Sequence, residues 1–216
     1  MDGSRLQRGL AALDLAVTPQ QEERLMLCLR ELLRWNEKVN LTSITDEDEA
    51  VEKHIIDSLT LLPHLGENSS LLDIGSGGGF PGLPLKIMRP DLEVVSVDAV
   101  QKKILFQRHV ARLLNLETFT AVHGRIESLS EKESFRQGFS MVTSRALSDI
   151  ETFLRWAKPF AGPRGRFVAM KGRDGEQELE KSREAMERED IELLEIVRIH
   201  LPFSGSLRHL LFFTPA

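Results

Sequence analysis

Residues 71–82 read Leu71-Leu72-Asp73-Ile74-Gly75-Ser76-Gly77-Gly78-Gly79-Phe80-Pro81-Gly82, and the order is strand, glycine turn, helix. Leu71 and Leu72 belong to an apolar strand that ends in Asp73. Gly75, Gly77, Gly78 and Gly79 make the turn, and Leu83 to Met88 begin an apolar helix. Glycine has no Cβ, so such a turn brings bare backbone N–H groups close to a ligand. In α/β proteins this unit holds nucleotide-like cofactors. The bland alternative is a tight β–α connection that binds nothing. Against it stands the joint occurrence of the loop, Asp73 and a later acid, Asp98.

The dinucleotide fingerprint is G-x-G-x-x-G. Gly75 and Gly77 fit it, but its third glycine falls on Phe80. The stretch reads instead as D-x-G-x-G-x-G over Asp73, Gly75, Gly77 and Gly79, which resembles motif I of class I S-adenosylmethionine-dependent methyltransferases. The next apolar run, Leu92 to Val97, ends in Asp98. An acid at that strand end, about 20 residues after the glycines, is placed to bind two ribose hydroxyls. Adenosylmethionine and NAD both carry that ribose, so Phe80 is the residue that favours the methyl donor.

Working outward, the pattern predicts helices at 4–15 and 18–39, the second opened by Thr18-Pro19 as N-cap and first helical residue. Leu25, Cys28, Leu29, Leu32 and Leu33 form one buried stripe, with Cys28 as an inert core thiol. A third helix is expected from Asp46 to about Leu65. From residue 69 strands and helices alternate. Strands are predicted at 69–74, 92–98, 117–122, 138–144, 164–171, 191–200 and 207–214, and helices at 82–89, 100–114, 148–160 and 174–189. Alternation implies a parallel, doubly wound sheet. Only Leu201 to Ser206 separates the last two strands, so they should pair antiparallel. The expected architecture is α/β and Rossmann-like: a seven-stranded, mostly parallel sheet with an antiparallel terminal hairpin and an N-terminal helical segment. The boundary is placed between a helical segment, 1–66, and a methyltransferase domain, 67–216.

The chain has 216 residues, 41% hydrophobic and 28% charged, enough to bury roughly 70% of its unfolded surface in one core. Its single cysteine excludes an intramolecular disulfide and a cysteine zinc cluster, and no metal is expected. No apolar run has the length of a signal peptide or a membrane span, so a cytoplasmic protein is expected. The net charge of −5 is unevenly spread. Residues 101–125 hold Lys102, Lys103, Arg108, Arg112 and Arg125 against Glu117. Residues 136–173 hold eight bases against Asp149 and Glu151, and 174–195 hold ten acids against three bases. Such segregation either gives a basic face on an acidic protein or marks ordinary solvated helix faces.

Methyl transfer from a sulfonium is an in-line displacement by a lone pair. Methylation at carbon 5 of a pyrimidine needs a cysteine thiolate, and Cys28 lies on an N-terminal helix. Exocyclic amines are usually gripped by an Asn/Asp-Pro-Pro-aromatic clamp after the fourth strand, where this chain has Thr143-Ser144-Arg145-Ala146-Leu147. Arginine suits the N7/O6 edge of guanine, and N7 carries a free lone pair that needs no general base. Arg145 is the candidate catalytic residue, holding O6, a phosphate or the cofactor carboxylate. Its structural alternative is an ion pair with Asp149, four residues on.

Six blocks in order resemble one family, the bacterial 16S rRNA guanine-N7 methyltransferases called RsmG or GidB. They are RWNEKVNLTS (34–43), KHIIDS (53–58), LDIGSGGGFPGLPLKIMRP (72–90), SRAL (144–147), VAMKG (168–172) and LRHLLFF (207–213). The resemblance implies S-adenosyl-L-methionine as cofactor. Contacts would come from Asp73, Gly75, Gly77, Gly79, Phe80, Asp98, Ile126, Glu127 and Arg145, with Ile126 and Glu127 flanking the adenine. It implies an RNA side of Arg125, Arg145, Lys171 and Arg208, with Asn40, His54 and Asp57. The implied acceptor is one guanine, the 527-type position, in the decoding region of 16S rRNA within the small ribosomal subunit, and the enzyme is expected to act as a monomer.

The chain departs from the family pattern at Gly78, where members often have proline, and at Gly205-Ser206-Leu207, where an acid often precedes the arginine. Structural alternatives stand beside several of these residues. His54 could cap or satisfy a buried helix, Asn40 could be only a C-cap, and Lys171-Gly172 could be a turn. Trp35 and Trp156 read as packing residues, and the acidic run 174–192 as a solvated face. Other functions kept open are a small-molecule methyltransferase, a ribosome assembly factor without catalysis and, weakest, a dinucleotide oxidoreductase.

Overall fold

The computed structural model describes residues 4–216 apart from 68, 131, 133, 134, 136, 137 and 146–148, with the backbone alone at 163. Ala146 and Leu147 of the SRAL block, and Ser148 at the start of the predicted helix 148–160, lie outside the described residues.

The helical periodicity near the N-terminus forms α1 (Ser4–Ala11) and α2 (Pro19–Val39). α2 opens on a capping box. The Thr18 hydroxyl accepts the Gln21 N–H at 3.2 Å, and the Gln21 side chain accepts the Thr18 N–H at 3.0 Å. It closes at Asn40, which takes the left-handed conformation with φ 48°. α1 is shorter than its sequence pattern because the chain turns away at Asp14, φ 55°.

The third predicted helix is interrupted. It runs as α3 (Glu47–Ala50), a wide π-helical turn over Val51–Ile56, and α4 (Asp57–Leu59). In the wide turn the Asp57 N–H bonds the Glu52 carbonyl, five residues back, in place of the Lys53 carbonyl. Lys53 thereby keeps an acceptor for a partner elsewhere.

Among the described residues the remaining α-helices and strands are β1 (Ser70–Ile74), α5 (Gly82–Met88), β2 (Glu93–Asp98), α6 (Gln101–Leu113), β3 (Phe119–His123), β4 (Phe139–Ser144), α7 (Ile150–Ala157), β5 (Ala161–Lys171), α8 (Gly175–Lys181), α9 (Arg183–Arg188), β6 (Ile191–His200) and β7 (Leu207–Pro215). Among the described residues the strands form one seven-stranded sheet in the order β3-β2-β1-β4-β5-β7-β6. β1 to β5 run parallel, and β7 is antiparallel to both β5 and β6. The expected α/β architecture with a terminal hairpin is the one observed. The single helix predicted at 174–189 is split because the Ser182 hydroxyl bonds back to the Glu178 carbonyl at 2.7 Å and ends α8.

Alternate residues of each strand point to opposite faces. Leu71, Val94, Met141, Leu210 and Phe212 share one apolar layer with Leu6, Leu25, Leu29 and Leu32 of α1 and α2. Leu72, Val97, Val142, Leu211 and Phe213 share the other with α7. The N-terminal helices therefore cover one face of the sheet. The carboxyl ends of β1, β2, β4 and β5 meet at one edge, and the strand order reverses beside β1, where open sheets of this kind place their ligands.

Candidate functional site

Three neighbouring cavities open along that edge. The first, about 240 Å³, is lined by Ile74, Gly75, Val97, Asp98, Ile126 and Trp156, with Arg125 and Glu127 beside them. The second, about 150 Å³, lies between the glycine loop and Leu32, Thr42, His54, Lys103 and Arg145. The third, about 440 Å³, is lined by Lys53, His54, Asp57, Arg145, Lys171 and Arg208, with Met170 and Glu178. Gly75 is common to the first two, and His54 and Arg145 to the second and third.

Gly77 and Gly79 have φ 59° and 87°, a region that side chains other than glycine rarely adopt. A Cβ on Gly79 would stand 2.5 Å from Leu83 Cδ1, so that glycine serves the close packing of loop on helix. A Cβ on Gly77 would meet nothing within 4 Å. Beneath the loop a buried network fixes its path. Gln107 donates to Ser76 Oγ and to the Gly77 carbonyl, both at 2.8 Å, and accepts from Ser96. Asp98 accepts the Gly77 N–H at 2.8 Å with one oxygen and the Val100 N–H at 2.8 Å with the other. Each carboxylate oxygen can accept a second hydrogen bond. An apolar cavity with a carboxylate at its edge and an open space above Gly77 fits an adenosine-bearing cofactor.

Asp73 is placed differently from the expectation of a cofactor contact. It is fully buried, outside all three cavities, and its Oδ2 accepts the Gly82 N–H at 3.1 Å. It ties the end of the loop back to the strand. Burial pushes its carboxyl up to about 7, and the Gly82 amide and Arg145 work against that shift. The other oxygen, Oδ1, has no hydrogen-bond partner among the described residues.

Arg145 is the hub of the site. Its guanidinium donates to the Lys53 carbonyl freed by the π turn and to His54 Nδ1 at 3.3 Å, and it stands 3.5 Å from Asp57 Oδ2 and 5.5 Å over the Phe80 ring. Burial lowers its pKa while Asp57 and Asp73 raise it, and an arginine so placed stays charged. Arg208 reaches the same carboxylate from β7, with Nε 3.0 Å from Asp57 Oδ1. Asp57 thus sits between the two arginines. Because Arg145 can only donate, Nδ1 of His54 is the acceptor, and Nε2–H is left to donate to Thr42 Oγ1 at 3.0 Å. The imidazole also stacks on Phe80, with centroids 4.8 Å apart.

Burial, then Arg145 and Lys53, push the His54 pKa from 6.5 down to about 3. Between those two pH values the unfolded chain holds a proton here that the folded chain does not, so stability falls as pH drops through that window. His54→Gln is expected to flatten the acid side of the stability–pH curve between about pH 6 and 4, read by urea denaturation. An unchanged acid slope would show that His54 is not buried neutral.

Two predicted RNA residues lie away from Arg145. Arg125 is exposed and borders the first cavity with Ile126 and Glu127. Asn40 is the exposed C-cap of α2 and lines a separate cavity with Asn36, Glu37 and Thr45. His54, Asp57, Lys171 and Arg208 do converge with Arg145. Sequence reasoning missed Thr42, Lys53, Lys103 and Glu178 as wall residues. Lys103 stands 3.9 Å from Asp98, and Glu178 2.6 Å from Lys171. The acidic run is therefore not only a solvated face: Glu178 reaches Lys171, and Glu176 bonds His209 at 3.0 Å. Trp156 lines the first cavity rather than serving only as packing. Their alternation and charge were visible, but their convergence depends on contacts between distant segments.

The family model described as GidB, rRNA small subunit methyltransferase G, matches residues 21–210. The chain belongs to this family. It is 48% identical over 206 residues to the ribosomal RNA small subunit methyltransferase G of Geobacter metallireducens, covering 95% of this chain and 93% of that one. It is 45% identical to the protein of the same name from Syntrophotalea carbinolica, over 96% and 95% of the two chains. Among solved structures, TYW2 of M. jannaschii in complex with AdoMet superposes with a TM-score of 0.58 at 12% identity, over 76% of each chain. That likeness concerns the fold, and the three cavities of this GidB-family chain lie at the strand ends of that fold. Phe80 in the glycine motif is accordingly a mark of the methyltransferase form, and the dinucleotide alternative falls.

Proposed function

We propose that this GidB-family enzyme transfers a methyl group from S-adenosylmethionine to N7 of a guanine in the decoding region of 16S rRNA, presented in the small ribosomal subunit. S-adenosylmethionine is the methyl donor of the family, and its sulfonium supplies an electrophilic methyl group. The observation that carries the acceptor side is that Arg145 forms a common wall of the glycine-loop cavity and of the larger cavity, where it meets Lys171 and Arg208.

The first cavity suits the adenosine. Asp98 would hold the ribose, and Ile126, Glu127 and Trp156, which line the same cavity, would surround the base. Gly75, Gly77 and Phe80 line the path to the second cavity, which suits the amino-acid end. The cations of the third cavity suit a phosphate-bearing acceptor, and arginine matches the N7/O6 edge of guanine. Of the titratable groups near Arg145, His54 and Asp57 are already engaged on both of their polar atoms, and Asp73 is buried and lines none of the three cavities. That suits an acceptor that needs no general base. Cys28 is fully buried and its thiol is pushed up to about 12 by burial, which suits the absence of thiolate chemistry. Among the described residues no helix is long and apolar enough to cross a membrane; we propose a monomer acting in the cytoplasm.

Small subunits from a strain lacking the gene, incubated with the protein and labelled S-adenosylmethionine, are expected to carry label in 7-methylguanosine of the 16S RNA. Label in another nucleoside would sink the N7 assignment. No label, with cofactor binding intact, would sink the RNA assignment.

A further inference from the structure

The site described above draws on α2 and the segment after it through Leu32 and Thr42, and on the basic stretch 101–125 through Lys103 and, at its end, Arg125. The rest of both segments meets on the outer side of the same helix pair. A separate cavity of about 330 Å³ lies there, lined by Arg34, Trp35, Lys38, Val39 and His109. Its floor is apolar and aromatic. The Trp35 ring packs edge-on to Phe106 at 5.7 Å and tilted to His109 at 5.1 Å.

Charge is arranged around this floor by helix geometry. Arg30, Arg34 and Lys38 are spaced by four and lie on one exposed face of α2. Lys102, His109 and Arg112 recur at helical spacing on the face of α6 that carries His109 to the cavity. The nearest acid on the floor is spent within the protein: Glu31 is buried and holds Arg34 at 3.2 Å and His109 at 2.7 Å. Glu37 borders the cavity of Asn40, and with exposed Glu23 it flanks Arg30 at seven-residue spacing on the edge of α2 away from Trp35. A chain of net charge −5 thus concentrates cations along one groove that opens on an aromatic floor. Cations that track a backbone, with an aromatic that receives a base, are the two components of single-strand RNA binding.

Resting on the RNA substrate argued above, we propose that the α2–α6 groove is a second RNA-contact surface, which holds an unpaired stretch of the substrate RNA remote from the methylated base. Its phosphates lie along Arg30, Lys38, Lys102 and Arg112, and one base enters the Trp35 cavity. The groove anchors the RNA while the Arg145 cavity receives the acceptor. The shared helices α2 and α6 make this geometrically possible, since Leu32 and Lys103 line the second cavity.

The test is a quadruple variant, Arg30→Glu, Lys38→Glu, Lys102→Glu and Arg112→Glu, all exposed side chains, together with a separate Trp35→Phe variant. Methylation kinetics on small subunits and on naked 16S RNA, and equilibrium affinity for both, are measured across a salt series. Expected for the charge variant are a rise in KM of about tenfold or more, a binding-versus-salt slope reduced by about 0.7–0.9 for each phosphate no longer neutralised, and unchanged kcat and cofactor affinity. Trp35→Phe should weaken RNA binding by a smaller factor and leave the salt slope as it is. Wild-type KM and salt slope in the charge variant, with wild-type protein active on the RNA, would overturn the groove and leave the function standing. Weakened binding to subunits but not to naked RNA would also overturn it, since the groove would then face a ribosomal protein. Wild-type protein that labels no small-subunit RNA would overturn the function and the groove with it.

Discussion

Arg145→Ala is expected to lower kcat/KM for methylation by about 10²–10³-fold, the usual loss when one preorganised charged donor is removed from a reaction centre. The folding cost should be much smaller. Asp57, the carboxylate that Arg145 faces, keeps its 3.0 Å contact with Arg208 in the variant, and buried Asp73, whose upward pKa shift Arg145 opposes, can take up a proton instead of remaining an unpaired charge. The Lys53 carbonyl and His54 Nδ1 each lose a donor, a loss of order 1–3 kcal/mol for groups that water cannot reach. Thermal unfolding and single-turnover methylation measured on the same preparation separate the two effects. Arg145→Lys should not restore the rate, because one ammonium cannot meet a carbonyl, an imidazole and a carboxylate in the planar arrangement of a guanidinium. Wild-type turnover in either variant would remove Arg145 from the reaction centre and with it the placement of the acceptor in the third cavity.

The difference between what the sequence revealed and what it hid follows from the range of the interactions involved. The seven strands, their mostly parallel pairing and the terminal hairpin were legible because apolar alternation, strand-terminal Asp73 and Asp98 and the short connection Leu201–Ser206 are local features. The interruption of the third helix was not. Val51–Ile56 has ordinary helical residues, and the π turn is visible only once Asp57 is seen to bond Glu52 and Arg145 to bond Lys53. The same limit applies to the site. Arg145 was picked out from its position after the fourth strand, and Lys171 and Arg208 from their blocks. That Asp57 would be held by one arginine just after β4 and another from β7, that Glu178 would answer Lys171, and that Trp156 would border the first cavity all depend on segments distant in the chain. Asp73 shows the converse. Its motif position suggested a ligand contact, yet its surroundings make it the buried tie that holds the loop to Gly82.

Gly77→Val should abolish measurable cofactor binding while leaving a folded protein. The expectation rests on where the added atoms would go. A Cβ at position 77 meets no protein atom within 4 Å, so the folded chain accommodates the side chain and the space it fills is that of the cavity itself. The φ of 59° adds strain, about 1–2 kcal/mol for an L residue, which lowers the melting temperature modestly. Gly77→Ala carries the smaller share of that strain, since β-branched valine tolerates positive φ least, and adds one carbon in place of three, so their unfolding curves read the difference in strain and their titrations the added volume. The alanine variant should weaken S-adenosylmethionine binding, and the valine variant should weaken it by at least a further factor of about ten, corresponding to ~1.4 kcal/mol. Gly79→Ala is the contrasting case. Its Cβ would fall 2.5 Å from Leu83 Cδ1, so that variant should lose stability first and binding only as a consequence. Calorimetric titration of the three variants beside their unfolding curves tests the order. Wild-type affinity in Gly77→Val would mean that the cofactor does not approach this loop, and the cavity bounded by Asp98 and Ile126, proposed for the adenosine, would then have to be entered from the opposite side.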